Sequence, residues 1–217
     1  YLEAYYIEKY EVTNSLYEAC VDDGVCNPPQ EISSRTYSPY YGNPQFADYP
    51  VIHVDWYQAE AYCEWRGARL PTEAEWEKAA RGADGYKYPW GNSFQCRNGN
   101  FDDLMRLDGY VIPGGPNCDG YKDIASVGLF DDGRSPFDIY DMAGNVWEWV
   151  ADWYDGDYYS NAPYKDPQGP PSGSGRVIRG GAWDVANTKN LLTTRRISFD
   201  PSAKEDYLGF RCAVSLP

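Results

Sequence analysis

The sequence predicts a single α+β domain over residues 1–217, loop-rich, with few short helices and short antiparallel strands. Three observations predict it. Glycine and proline number 21 and 16, and 17% of the chain is aromatic, with 21 Tyr and 8 Trp. That mix suits an irregular globule pinned by aromatic packing and disfavours a helical bundle. Helical signals stop at Gly82, and beyond it the chain is turns and short β-forming runs without repeat or heptad.

The elements follow in order. Residues 5–12 alternate with β-formers and read as a strand. Thr13 or Asn14 caps a helix that runs to about Val21. Residues 24–50, rich in Pro, Ser, Tyr and Asn, read as an irregular loop. Residues 50–54 read as a short apolar strand. Asp55 and Gln58 form a capping box for a second helix ending near Gly67. Pro71 opens the third helix, Thr72 and Glu75 box its start, Glu73 suits the helix dipole, and Gly82 closes it. Residues 89–92 and 142–145 are turns, 146–150 and 176–179 are strands, and 163–175 is a Pro/Gly/Ser loop.

Formal net charge is −14. Such a surface repels phosphate backbones, which argues against a nucleic-acid partner. No stretch approaches the roughly 18 apolar residues of a membrane span, so no membrane insertion is expected within this chain. The chain starts at Tyr1 without an initiator Met or a signal-like segment and reads as trimmed at its N terminus.

Six cysteines allow fifteen pairings. Cys20 and Cys26 bracket a short loop that a local bridge would close. Cys96 and Cys118 flank a Gly/Asn/Asp-rich stretch. Cys63 and Cys212 remain, and would tie the middle of the chain to its end. Six reduced, buried thiols are the competing reading. Three bridges imply an extracellular, cell-surface or periplasmic location, or the cytoplasm of a thermophile. No CxxC pair is present and His53 is the only histidine, so no zinc cluster is expected. His53, alone beside an apolar run, reads as packed or hydrogen-bonded.

Five segments carry a resemblance: Tyr10-Glu-Val-Thr-Asn14, Tyr49-Pro-Val-Ile-His-Val-Asp-Trp56, Gly67-Ala-Arg-Leu-Pro-Thr-Glu-Ala-Glu-Trp-Glu77, Asp141-Met-Ala-Gly-Asn-Val-Trp-Glu-Trp149, and Arg179-Gly-Gly-Ala-Trp183 with Gly209-Phe-Arg-Cys212. In this order they resemble the formylglycine-generating-enzyme (sulfatase-modifying factor) family. The resemblance implies that family's variant of the C-type lectin fold, and it too pairs Cys63 with Cys212. It also implies two structural Ca²⁺ sites. The first maps onto the side chains of Asn100 and Asp119 with the carbonyls of Phe101 and Tyr121. The second maps onto Asp141 and Glu148 with the carbonyls of Gly144 and Val146. These are the hard oxygen donors that Ca²⁺ takes. The competing reading has Asp141 and Glu148 capping turns and pairing with arginines.

In the family's enzymes, two cysteines after the Gly-Gly turn bind Cu(I), which activates oxygen to oxidise a substrate cysteine. Here no cysteine lies between Arg179 and Arg211, and the two positions fall at about Val185 and near Asn187–Asn190. Cu(I) needs soft thiolates, and Met105 and Met142 lie far off in sequence, so no copper is expected. No nucleophile elbow is present. The resemblance and the missing thiols together favour a non-enzymatic module that binds a protein or small-molecule ligand. The same scaffold serves the variable proteins of diversity-generating retroelements, whose hypervariable stretch corresponds to residues 184–208 here, and the sensor parts of bacterial kinases.

The candidate contact residues are Trp183, Asp184, Val185, Asn187, Thr188, Lys189, Asn190, Thr193, Arg195, Ile197, Phe199, Glu205, Asp206 and Tyr207. Trp183, Phe199 and Tyr207 would be the aromatic anchors, with Arg195 or Arg196 as the polar one. The competing functions are a copper-dependent formylglycine-generating oxidase and an inactive relative kept as a partner subunit.

Overall fold

The computed structural model describes residues 1–101, 106–107, 110–111 and 118–216; Met105 lies outside the described residues. Its three helices start where the capping chemistry starts them. Helix α1 (Asn14–Asp22) begins at Thr13, whose hydroxyl accepts the Leu16 N–H at 3.4 Å. Helices α2 (Trp56–Trp65) and α3 (Glu73–Arg81) carry reciprocal capping boxes, Asp55 with Gln58 and Thr72 with Glu75. Gly82 closes α3 at φ +68°, where a β-carbon would be strained.

The strands are β1 (Tyr5–Ile7), β2 (Arg106–Leu107), β3 (Tyr110–Val111), β4 (Trp147–Trp153), β5 (Arg176–Arg179), β6 (Ile197–Phe199), β7 (Leu208–Phe210) and β8 (Ala213–Ser215). β1 pairs antiparallel with β8, and β2 with β3. The main sheet has the order β6-β5-β4-β7. Its β4–β5 and β5–β6 pairs are antiparallel, but β4 and β7 run parallel, with Glu148 opposite Gly209. Parallel pairing departs from the all-antiparallel expectation. It arises because the chain leaves β6 at one edge, crosses through residues 200–207, and re-enters at the other edge in the same direction.

Three scaffold amides hold that crossover by its carbonyls. Trp56 N donates to Pro201 O at 3.0 Å, His53 N to Glu205 O at 3.1 Å, and Trp147 N to Tyr207 O at 2.8 Å. These donors explain a second departure. Residues 50–54 form no strand: Pro50 makes one bridge with Thr13, and His53 turns to φ +58° so that its amide points at the crossover. The expected strand over residues 5–12 likewise shortens to Tyr5–Ile7.

The core is aromatic. Trp76 and Trp149 are fully buried, as are Tyr17, Tyr62 and Phe210. Tyr17 stacks on Tyr62 with centroids 5.5 Å apart, and both meet the Phe210 ring edge-on. Three inner indoles find acceptors: Trp56 to Val150 O, Trp149 to Val54 O, and Trp76 to Glu148 Oε2.

Cys20–Cys26, Cys63–Cys212 and Cys96–Cys118 are disulfides. Three disulfides in a chain of this size point to an oxidising environment. Among the described residues no helix is long and apolar enough to cross a membrane.

The Cys63–Cys212 bridge spans a sequence separation of 149. Closing so long a loop restricts the unfolded chain most. Replacing both cysteines by Ala is expected to lower stability by up to about 5 kcal/mol, measured by urea melts of the oxidised protein and the double variant.

Candidate functional site

The segment after β5 turns on Gly180 and Gly181, at φ +98° and +83°. A β-carbon on Gly181 would strike the Leu191 side chain, so only glycine lets residues 182–192 fold back this closely. That fold-back buries four of the expected contact residues. Trp183 and Val185 are each 6% exposed, Thr188 2% and Thr193 1%. Trp183 packs with Tyr40, Phe46, Ile52, Ile124 and Val146, and its indole N–H donates to Asp206 O at 3.3 Å. Thr193 donates its hydroxyl to Tyr86 O and its amide to Lys87 O. These four residues carry a surface from beneath and do not present it, because the two-glycine turn directs the chain inward.

The remaining expected residues stay accessible. Asn187, Lys189 and Arg195 are exposed; Asp184, Asn190, Ile197, Phe199, Glu205, Asp206 and Tyr207 are half-buried. Asn187 caps the short 3-10 turn of residues 188–191 by accepting the Lys189 N–H. Phe199 on β6 touches Tyr207 on the crossover, with centroids 6.4 Å apart, and leans on Trp149 beneath. Burial raises the Tyr207 hydroxyl's pKa, and the nearby carboxylates of Glu205, Asp184 and Asp206 raise it further. The structure therefore gathers Asp184, Phe199, Glu205, Asp206 and Tyr207 around one aromatic pair. It also adds Arg35, whose guanidinium lies 5.4 Å from the Trp183 ring centre. Arg35 sits in the irregular 24–50 loop, where sequence carries no signal that it reaches this face.

Below the face lies a buried ionic lattice. Glu73, at the first turn of α3, is fully buried and accepts from Arg179 at 3.2 Å and from Arg196 at 2.6 and 2.8 Å. Arg179 also reaches Glu77 and donates to the Thr193 and Arg195 carbonyls. Helix α3 thereby anchors the start of the segment that carries Ile197 and Phe199. Asp152 of β4 accepts the Glu73 N–H at 2.6 Å, while its other oxygen is buried without a partner.

The two oxygen-donor sets differ. In the first, the Asn100 side-chain oxygen is buried without a hydrogen-bond partner, while its amide nitrogen donates to Asp123 O and Asn145 Oδ1. Asp119 folds over the same turn, accepting the Phe101 and Tyr121 amides. The orphaned amide oxygen is a hard donor of the kind Ca²⁺ takes. In the second set, Glu148 is fully buried and pairs with Arg211 through two hydrogen bonds of 2.7 Å. Asp141 accepts the Gly128 amide, and Glu11 is buried close by with its oxygens on Asn145 and Val146 N. Three buried carboxylates thus face one guanidinium. Burial pushes Asp141 up to about 6 and Glu11 well above its usual range. This excess of negative charge fits a cation held by Asp141 and the Gly144 and Val146 carbonyls, with Glu148 shared with Arg211.

The geometry has counterparts among known proteins. Residues 1–216 match the family model of the sulfatase-modifying factor enzyme 1-like domain. The chain belongs to this family. It is 40% identical over 173 residues to a formylglycine-generating enzyme of Thermomonospora curvata, covering 77% of this chain and 56% of that protein. It is 39% identical over 171 residues to the inactive C-alpha-formylglycine-generating enzyme 2 of Bos taurus, covering 76% and 50%. The chain spans about half the length of these relatives. Among solved structures, Treponema denticola variable protein 1 superposes with a TM-score of 0.79 at 26% identity, over 99% of this chain and 86% of that one.

Within the sulfatase-modifying-factor family, the copper positions implied by the resemblance are filled here by Val185, which packs in the main core, and by the Asn187–Asn190 turn. All six cysteine sulfurs are engaged in disulfides. Among the described residues no three His, Cys, Asp or Glu side chains converge as a metal site, so a cation at Asp141 and Glu148 would need main-chain carbonyls as well. The donor set does not fit Cu(I), which requires thiolates.

Burial pushes the Asp152 carboxyl from 3.8 up to about 7, and the neighbouring Glu73 adds to the rise. The folded value lies above the unfolded one, so ionisation favours unfolding. This group's contribution is full below about pH 4 and is lost as pH rises through about 7. Asp152→Asn should flatten that slope. Between pH 4 and 8 the wild type should lose up to roughly 4 kcal/mol relative to the variant, read from urea melts across pH.

Proposed function

We propose that this domain is a non-catalytic binding module that displays a recognition face on a formylglycine-generating-enzyme-like scaffold. The observation that carries the reading is the pairing of an intact scaffold with the loss of its thiols: the Gly-Gly turn, the Glu148–Arg211 pair and the Trp core are present, while Val185 and Asn190 stand near where thiolates are needed. The face comprises Asp184, Asn187, Lys189, Asn190, Arg195, Ile197, Phe199, Glu205, Asp206 and Tyr207, with Arg35 at its edge. Phe199 and Tyr207 serve as the apolar anchor and the charged residues as the rim. The ligand is a protein or a small molecule; the acidic surface disfavours nucleic acid. The likeness to a variable protein supports a role as the variable protein of a diversity-generating retroelement, and a sensor domain is the neighbouring role. The disulfides support an extracellular, cell-surface or periplasmic setting.

The competing reading is a copper-dependent oxidase, favoured by the 40% identity to a formylglycine-generating enzyme. The two separate cleanly. Purified protein offered Cu(I), oxygen and a cysteine-containing peptide should consume no oxygen and form no aldehyde above a metal-free control. Stoichiometric copper uptake with aldehyde formation would refute the binding-module reading.

We also propose structural Ca²⁺ at the two oxygen-donor sets, held at the first by Asn100, Asp119 and the Phe101 and Tyr121 carbonyls. The ion supplies positive charge to carboxylates that are otherwise buried in excess. Calcium at 100 times its dissociation constant should raise stability by about 2.7 kcal/mol for each occupied site and so raise the melting temperature above that in EGTA. Asn100→Ala should remove the part of that rise due to the first set. An identical melting temperature with calcium and with EGTA would rule out both sites.

A further inference from the structure

We infer that His53 is a proton-operated clasp joining the 24–50 loop to the 200–207 crossover. His53 is the only histidine in the chain and is 8% exposed. Its backbone is held at φ +58°, a left-handed conformation that persists in a non-glycine residue where the surroundings impose it. The main chain is fastened on both sides: the His53 amide donates to Glu205 O, and its carbonyl accepts the Gln30 amide, each at 3.1 Å.

The ring carries the inference. Nδ1 lies 3.3 Å from the Lys204 carbonyl oxygen, and Nε2 lies 3.0 Å from the Ser33 carbonyl oxygen. Both partners are acceptors only. A neutral imidazole has one N–H, so it serves one carbonyl and turns a lone pair toward the other. The imidazolium donates to both. The choice of tautomer does not alter this, because either neutral form leaves one carbonyl facing a lone pair. Taking up a proton therefore completes a bridge between two segments that meet only by folding, 20 and 151 residues from His53.

The surrounding charges come from every segment packed there. On the crossover, Asp206 is raised by burial and pulled back by His53 and Arg35, with Asp123 opposing. Lys204 pairs with Asp55 at the start of α2 at 3.3 Å, and Glu205 supplies the carbonyl for the His53 amide. On the loop side, Arg35 lies over Trp183, and Asp123 takes the hydroxyls of Ser34 and Thr36. Asp206 is thus within electrostatic reach of the His53 ring, and the Lys204 ammonium is occupied by Asp55. The clasp thus sets how firmly the Asp206–Tyr207 edge of the face is held. The consequence for ligand capture rests on the binding-module reading; the clasp does not.

The test uses the full chain and needs no ligand. Nitrogen-correlated NMR of the imidazole, followed from pH 8 down to pH 5.5, should show one ring N–H signal at the start and two at the end, because the second proton completes the second donor. Hydrogen-exchange protection of the His53 and Gln30 amides, corrected for intrinsic rates, should rise about tenfold over that descent in the wild type, as expected for one charge-assisted hydrogen bond gained. In His53→Gln, whose amide supplies a donor to one carbonyl at every pH, protection should stay flat. Parallel protection profiles in wild type and variant, or one ring N–H persisting at pH 5.5, would overturn the clasp. Should the variant not fold, the wild-type ring signals and exchange profile decide alone. The binding-module reading is judged separately, by the oxygen-consumption and aldehyde assay with Cu(I) and a cysteine-containing peptide, whose outcome leaves the clasp untouched.

Discussion

The fold depends on one buried ion pair. Glu148 lies in β4, and its carboxylate is shared between the guanidinium of Arg211 and the indole N–H of Trp76, all three fully buried. Arg211 also donates to the Glu8 and Tyr140 carbonyls, so one side chain ties the β1 exit, the turn before β4 and the chain end to the sheet. Desolvating two charges is expensive, and the geometry compensates only when every donor and acceptor is used. Here Arg211 makes four hydrogen bonds, two to the carboxylate and two to carbonyls. Removing Arg211 leaves Glu148 buried beside Asp141 and Glu11 without its guanidinium, a loss of the kind that typically costs about 3–5 kcal/mol. The pair is thus a constraint on register: β4, β7 and the tail are compatible with it in one arrangement.

A second ionic cluster, built around Glu73, extends that constraint to the surface that carries Phe199 and Tyr207. Arg179 and Arg196 converge on this acid, and Arg179 also donates to the carbonyls of residues 193 and 195 while Arg196 donates to that of Asp155. Arg176, on the same strand as Arg179, lies between the Trp56 and Trp153 rings at 3.6 and 3.7 Å. The arginines of β5 therefore act as struts, which holds the aromatic pair Phe199–Tyr207 in fixed relation to the sheet. A rigid base under accessible side chains is the arrangement that lets a surface bind without paying much ordering entropy.

How much was legible in the sequence follows from where the information is local. The three helices could be read to within a residue or two because Thr13, Asp55–Gln58 and Thr72–Glu75 are caps whose partners are three residues away. The disulfides were legible by spacing and by resemblance. The parallel β4–β7 pair was not, because β7 is three residues long and too short to show a period, and its direction is set by a crossover. The burial of Val185, Thr188 and Thr193 was hidden for a similar reason: the Gly180–Gly181 turn inverts which residues face inward. Glu148 shows the same limit, since an acid in Trp-Glu-Trp reads equally as a metal ligand or as a partner for an arginine 63 residues away. Arg35 had no local signature at all.

The attachment of the 200–207 crossover has an evolutionary consequence. The scaffold grips it through N–H groups of Trp56, His53 and Trp147, and each grip lands on a main-chain carbonyl. Every amino acid supplies that carbonyl, whatever its side chain. The path of this segment is therefore largely indifferent to mutation at positions 201, 205 and 207, so its exterior chemistry is free to diversify between lineages while its course over the sheet is inherited unchanged.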